Sequence, residues 1–93
     1  MHIVAQHRVT DPEKFFSMSG EEVAENAPSG VELRQVLPSD DRSAAVCLWE
    51  ADSIDKVRDY VDPATEGASE NTYFEINTEY AMGLPEAAGA GAS

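Results

Sequence analysis

Four segments of the chain alternate between apolar and polar residues with a period of two, which is the pattern of β-strands. In the first segment Ile3, Ala5, His7 and Val9 share one side. The polar segment PSDDRS, which follows the second, has the composition of a turn. The sequence therefore predicts four strands. They lie within MHIVAQHRV, VELRQVL, AAVCLWEA and NTYFEIN.

A helical period begins directly after the first strand. Asp11 is a favourable N-cap residue, and Pro12 suits the first helical position, where its missing N–H is not needed. Ser19 and Glu22 form an S-x-x-E capping box, so the helix is expected to break or restart there. The apolar stripe of this helical region consists of Phe16, Gly20, Val23 and Ala27.

A second helical period follows the third strand, with Asp52 or Ser53 as its cap. We expect a separate short turn to begin at Asp62-Pro63 and to end before Gly67. The apolar stripe of this helix consists of Ile54, Val57 and Val61.

The predicted order β-α-β-β-α-β is that of a ferredoxin-like α+β fold, in which both helices cover one face of a four-stranded antiparallel sheet. The right-handed crossover rule places the third strand between the first and second, and the fourth beside the first. We expect one domain over residues 1–84. The segment 85–93 is rich in Ala and Gly and is predicted to be a low-complexity, disordered tail.

Alternation divides the predicted sheet into two faces. One face packs on the helices, and the other has no helix to cover it, so we expect a homodimer formed through the open face. The predicted helix-facing set is Ile3, Ala5, Val9, Val31, Leu33, Val46, Leu48, Phe74 and Ile76. The predicted open-face set is Val4, Gln6, Arg8, Arg34, Val36, Cys47, Trp49, Tyr73, Glu75 and Asn77.

The charge balance restricts the classes of partner. The chain has 18 acidic and 6 basic residues, a formal net charge of −12. A surface this negative repels phosphate backbones and anionic lipids, so we expect neither nucleic acid nor membrane as a partner. The acidic surface has two alternative explanations. It keeps the protein soluble, or it is an adaptation to high salt. The single cysteine excludes an intramolecular disulfide framework, and without a leader or an 18-residue apolar run we expect a cytoplasmic protein.

The segments VTDPEKF and VCLWEADSIDKVRDYV, in this element order, resemble the dimeric α/β-barrel superfamily over residues 1–78. That resemblance implies two sheets paired face to face and a ligand held between sheet and helices or inside the barrel. The superfamily includes cofactor-independent monooxygenases, haem-degrading enzymes, peroxidases and isomerases. Haem-degrading members carry an Asn on the first strand, a Trp on the third and a His on the second helix. Only Trp49 matches, because Gln6 and Asp59 or Tyr60 stand at the other positions.

A second, more local resemblance is to small nickel-binding proteins of the same fold, through LRQVLPSDDR and AVCLWEADSIDKV. His7 is compatible with that family, but Gln35 stands where its second-strand histidine lies. One imidazole without further nitrogen or sulfur donors makes a poor nickel site. We therefore predict neither a metal site nor a cofactor.

Three residues are candidates for catalysis. His7 suits a general base because its ordinary pKa lies near neutrality, and Tyr73 with Glu75 would form a proton-transfer pair on the fourth strand. The alternative for His7 is a buried core histidine, with Gln35 as a nearby partner. The candidates for a ligand site or a dimer interface are Gln6, Arg8, Arg34, Gln35, Cys47, Trp49 and Asn77.

Cys47 and Trp49 are expected first at the dimer interface and only second at a ligand. Tyr80, Met82 and Leu84 are expected to reach over a partner subunit or close a pocket. We interpret the chain as a small-ligand-binding or accessory protein. The alternatives are a cofactor-independent oxygenase or isomerase and a nickel-type metal binder.

Overall fold

A computed structural model describes residues 1–84 as an α+β fold with four strands and three helices, compatible with a ferredoxin-like fold. The sheet is antiparallel and open, and its strand order, β2-β3-β1-β4, is the predicted one. The tail predicted for residues 85–93 lies outside the described residues. The elements are β1 (His2–Val9), α1 (Pro12–Phe16), α2 (Gly20–Glu25), β2 (Glu32–Pro38), β3 (Ala44–Glu50), α3 (Ile54–Ala64) and β4 (Ser69–Glu75).

Side-chain caps explain where the helices begin. The carboxylate of Asp11 accepts a hydrogen bond from the backbone N–H of Lys14, and Ser53 caps α3 in the same way. The predicted break is present, because α1 ends at Phe16 and Ser19 caps a separate α2. The predicted turn at Asp62-Pro63 is wrong, since α3 continues through Pro63 to Ala64. None of the helices within residues 1–84 is long and apolar enough to cross a lipid bilayer.

The register of β1 against β3 decides which side chains lie under the helices. Ile3 pairs with Trp49, and Ala5 pairs with Cys47. Residues directly opposite on neighbouring strands share a face, so all four lie together in one buried cluster with Val57 of α3.

The predicted faces of β3 and β4 are therefore wrong. Cys47 and Trp49 lie under the helices, and Val46 and Leu48 lie on the open face. Both alternating sets of β3 are apolar, so hydrophobicity did not distinguish them, and the indole of Trp49 fills the space under the helices that the smaller side chains would leave. On β4 the same exchange places Tyr73 on the helix side, where it packs against the core, and Phe74 on the open side. Glu75 pairs with Ile3 and therefore lies on the helix side, whereas Ile76 and Asn77 lie beyond the end of the strand.

A register shift on β2 corrects two more assignments. Leu33 pairs with Trp49, but after an irregularity Gln35 pairs with Leu48 and Val36 pairs with Cys47. Gln35 therefore shares the open face with Leu48, and Val36 lies on the helix side. The predicted proximity of Gln35 to His7 is wrong, because β3 separates their strands.

The fold predicts a large cost for truncating a side chain at the centre of the sheet. Ile3 is fully buried between the sheet and the helices, whereas Met82 is 94% exposed. We expect Ile3→Ala to lower the free energy of unfolding by about 2–5 kcal/mol. Met82→Ala is the matched control and is expected to change it by less than about 0.5 kcal/mol. Urea denaturation measures both, and equal effects of the two variants would contradict this description of the core.

Candidate functional site

A cavity of about 90 Å³ lies between the helix side of the sheet and the three helices. Its walls are almost entirely apolar and include four aromatic side chains. Small residues at Gly20, Cys47 and Ala64 leave the space that the aromatic side chains surround. The remaining lining residues are His7, Phe15, Phe16, Met18, Val23, Leu33, Val36, Trp49, Tyr60, Val61 and Thr65.

Aromatic contacts hold two sides of the cavity. The rings of Trp49 and Tyr60 meet edge to face with centroids 5.9 Å apart, and the Tyr60 hydroxyl donates to the backbone carbonyl of Val23 at 2.7 Å. This bond joins α3 to the short helix α2. Farther along the sheet, the rings of His7 and Phe15 pack with centroids 5.2 Å apart.

His7 is buried, with 4% of its surface exposed. Its Nδ1 lies 2.7 Å from the carbonyl oxygen Oδ1 of Asn71, the residue directly opposite on β4. A carbonyl oxygen accepts, so Nδ1 carries the hydrogen. Burial lowers the pKa of His7 below its ordinary value near 6.5, although the bond to Asn71 and the charge of Asp62 oppose that shift. The imidazole is therefore neutral at neutral pH.

Asn71 is the centre of a hydrogen-bond network behind His7. Its Nδ2 donates to Asp62 Oδ1 at 3.0 Å and to Thr65 Oγ1 at 2.7 Å. Tyr73 donates its hydroxyl hydrogen to the same Asp62 oxygen at 2.5 Å. Burial and this bond raise the pKa of Tyr73, so the phenol stays protonated. The network connects the wall of the cavity to the exposed end of α3.

Cys47 and Trp49 also contribute polar groups to the wall. Burial raises the pKa of the Cys47 thiol to about 11, which leaves it protonated and a poor nucleophile. The indole Nε1–H of Trp49 is buried and has no hydrogen-bond partner within residues 1–84. An unpaired buried donor of this kind costs about 1–3 kcal/mol. Trp49 pairs with Ile3 and His7 with Ala45, so the backbone positions of Trp49 and His7 are offset by about 13 Å along the strands.

The structure joins some of the predicted catalytic residues and separates others. His7 and Tyr73 belong to one network through Asn71 and Asp62. Glu75 is exposed and takes no part in that network. Their catalytic role stays a prediction.

Of the predicted candidates, only His7, Cys47 and Trp49 line the cavity. Five of the residues predicted for a ligand site or interface lie away from it, namely Gln6, Arg8, Arg34, Gln35 and Asn77. Arg8 pairs with Glu70, and Arg34 pairs with Glu32 and Glu50. The other three are exposed.

Sequence reasoning missed Asn71, Asp62 and Thr65. The available signal was the alternation of β4, which puts Asn71 on the same face as Tyr73. Only the cross-strand register shows that this face is also that of His7. Tyr80 and Met82 were predicted to close a pocket or cover a partner, and they are 79% and 94% exposed in the protomer.

Within residues 1–84 no three His, Cys, Asp or Glu side chains lie close enough together to hold a metal ion. Comparisons of the chain with protein-family models, with curated proteins and with solved structures found no match.

The burial of Cys47 predicts slow thiol chemistry. With a pKa of about 11, about one thiol in a thousand is ionised at pH 8, and the helices cover the sulfur. We expect native protein to react with a thiol reagent at least about a hundredfold more slowly than protein unfolded in urea. Equal rates in the two states would contradict the placement of Cys47 beneath the helices.

The lowered pKa of His7 predicts a pH-dependent stability. Between the folded pKa and about 6.5 the unfolded chain binds more protons than the folded chain, so stability falls as pH falls through that window. His7→Gln, whose amide can still donate to Asn71, should remove this contribution. We expect the loss of stability between about pH 8 and about pH 5.5 to be smaller in His7→Gln than in the wild type, as measured by urea denaturation. An identical loss in both proteins would contradict the burial of a neutral imidazole.

Proposed function

We propose that the protein binds a small, largely apolar molecule in the cavity between the helices and the sheet. The observation that carries this proposal is the cavity itself, about 90 Å³ in volume and walled by Phe15, Phe16, Trp49 and Tyr60. An engineered apolar cavity of about 150 Å³ binds benzene, so this volume has the scale of one small molecule. The resemblance to dimeric α/β barrels supports the same location.

One polar group of the wall supports a ligand with some polar character. His7 has a ring nitrogen, Nε2, without a partner within residues 1–84, whereas the unpaired Nε1–H of Trp49 is sealed from solvent. Ligand pockets are commonly apolar with a few polar groups that orient the ligand. The raised pKa of the Cys47 thiol makes covalent capture a poor explanation of the site.

A titration with toluene, followed by the fluorescence of Trp49, tests the proposal directly. Trp49 is the only tryptophan of the chain and lines the cavity, so its emission reports on occupancy. We expect saturable binding to the wild type. Cys47→Met fills the cavity and should weaken binding at least about tenfold. Cys47→Ala removes the thiol, leaves the space open and should keep the affinity within about threefold.

The melting temperatures of both Cys47 variants show whether each is folded. Binding that Cys47→Met leaves unchanged, in a folded protein, would place the toluene outside this cavity. Absence of saturable binding to the wild type would contradict the proposed function.

We also propose that two copies pair through the open sheet face to form a dimeric α/β barrel. Val4 and Leu48 lie in the middle of that face and are buried in the protomer, whereas beside them Phe74 is 46% and Leu37 is 55% exposed. Exposed apolar side chains grouped on one sheet face favour association. A second copy of the same sheet is self-complementary through a two-fold axis, as in the superfamily that the chain resembles.

Light scattering measures the proposed dimer. We expect a mass of about 20 kDa, twice the 10.0 kDa of the chain. Phe74→Glu places a charge on the open face and should give about 10 kDa. Ala24→Glu, at an exposed residue of α2 on the other side of the sheet, is the matched control and should remain near 20 kDa. A wild-type mass near 10 kDa at micromolar concentration would contradict the dimer.

A cofactor-independent oxygenase or isomerase is the second candidate. The observation that favours it is the hydrogen bond between Nδ1 of His7 and Asn71, which fixes the orientation of the imidazole. A general base must be held in position to reach the proton of its substrate. In that candidate Tyr73 acts through the network and not on the substrate, since its hydroxyl donates to Asp62.

A further inference from the structure

We infer that the cavity selects a ligand with a phenolic hydroxyl group, which donates a hydrogen bond to Nε2 of His7, and that Asn71 is the positioning residue that keeps Nε2 a hydrogen-bond acceptor. This inference rests on the proposed function and names its ligand class. It follows from the orientation of one amide, the tautomer of one imidazole and the composition of the cavity wall.

The amide of Asn71 has one orientation that satisfies its neighbours. The carboxylate of Asp62 accepts from Nδ2, and the Thr65 hydroxyl has already donated its hydrogen to the carbonyl of Val61 at 2.9 Å. Thr65 Oγ1 therefore also accepts from Nδ2. A flipped amide would turn its carbonyl oxygen towards two acceptors. The carbonyl oxygen Oδ1 is thus held towards His7, where the Ser69 hydroxyl also donates to it at 2.7 Å.

This orientation determines the tautomer of His7. Oδ1 of Asn71 accepts, so Nδ1 of the imidazole must donate. A neutral imidazole has a single N–H, and the other nitrogen then carries a lone pair. Nε2 is consequently an acceptor, and it has no partner within residues 1–84.

Nδ1 is turned to Asn71, so Nε2 is the ring nitrogen left for a molecule in the cavity. The side chain of His7 lines the cavity although the residue is only 4% exposed. Three unpartnered side-chain atoms of residues 1–84 are sealed from solvent, in His2, Arg34 and Trp49, and Nε2 of His7 is not one of them. A group that donates a hydrogen bond satisfies Nε2, whereas an ether, ketone or carboxylate oxygen brings a second lone pair against it.

The aromatic side chains of the cavity wall favour phenols among the possible hydroxyl ligands. The rings of Phe15 and Phe16 meet edge to face at 5.1 Å and line the cavity beside His7. A ligand ring that lies against them keeps its hydroxyl group at the imidazole. No Lys or Arg side chain lines the cavity, so it offers no partner to a carboxylate or phosphate.

The tautomer is measurable without any ligand. Nitrogen-15 NMR of the histidine side chains distinguishes a protonated from a bare ring nitrogen, and His2→Gln assigns the signals of His7. We expect His7 to carry its hydrogen on Nδ1 in the wild type. In Asn71→Ala the fixed acceptor is gone, and we expect a substantial population with the hydrogen on Nε2. A wild-type His7 protonated on Nε2 would overturn the inference, as would a tautomer that Asn71→Ala leaves unchanged.

The ligand class is measured by calorimetric titration with phenol and toluene, which have similar shapes and differ in the hydroxyl group. The quantity compared is the ratio of the phenol affinity to the toluene affinity, because it cancels changes in cavity size. We expect this ratio to fall about tenfold in both His7→Leu and Asn71→Ala, since each removes the oriented acceptor. Lys56→Ala, at an exposed side chain of α3 that does not line the cavity, is the control and should keep the wild-type ratio.

The outcomes separate the two proposals. If the wild type binds both compounds and the ratio is the same in all variants, the phenol selectivity is wrong and the binding function stands. If the wild type binds neither compound, the proposed function is wrong and the selectivity fails with it. Circular dichroism of each variant confirms that the compared proteins are folded.

Discussion

The antiparallel register of β1 against β3 is the constraint on which the rest of the structure depends. It sets Ile3 opposite Trp49 and Ala5 opposite Cys47, and a shift of one residue would move each set to the other face. Because these are the two central strands, their register also fixes which side chains of β2 and β4 can meet them. The indole of Trp49 is thereby buried against α3, and the imidazole of His7 is carried to the same face.

The cavity follows from the way the helices cover that face. The first helical region is divided at Ser17–Ser19, and the short helix α2 has no fully buried side chain of its own. A hydrogen bond from Tyr60 to the carbonyl of Val23 holds it over the sheet. A methyl group built on Gly20 would meet only Val36, at 3.5 Å. The space beneath α2 is therefore left by small residues between large aromatic side chains.

Much of the fold was predictable from the sequence, because strand alternation, the Asp11 and Ser53 caps and the crossover rule are local or general signals. The side of β3 that faces the helices was not predictable, since Val46 and Leu48 are as apolar as Cys47 and Trp49. Alternation separates these two sets of side chains but does not show which set lies under the helices. The irregularity after Leu33 on β2 was not predicted either, because a strict period of two would place Val36 on the open face.

The site was predictable only in part. His7 was identifiable as a polar residue in an apolar register, but its partner Asn71 lies 64 positions away and is determined by cross-strand pairing. Asp62 and Thr65 reach the same point because α3 passes over β4. Such convergence depends on tertiary structure, and no spacing in the sequence encodes it.

The central claim is that an apolar space lies between the sheet and the helices at Trp49. A crystal structure of the protein pressurised with xenon tests it most directly, since xenon enters dry apolar cavities of this kind. We expect a xenon atom within the space bounded by Phe15, Trp49 and Val61. Electron density in which side chains fill that space, with no xenon bound there, would contradict it.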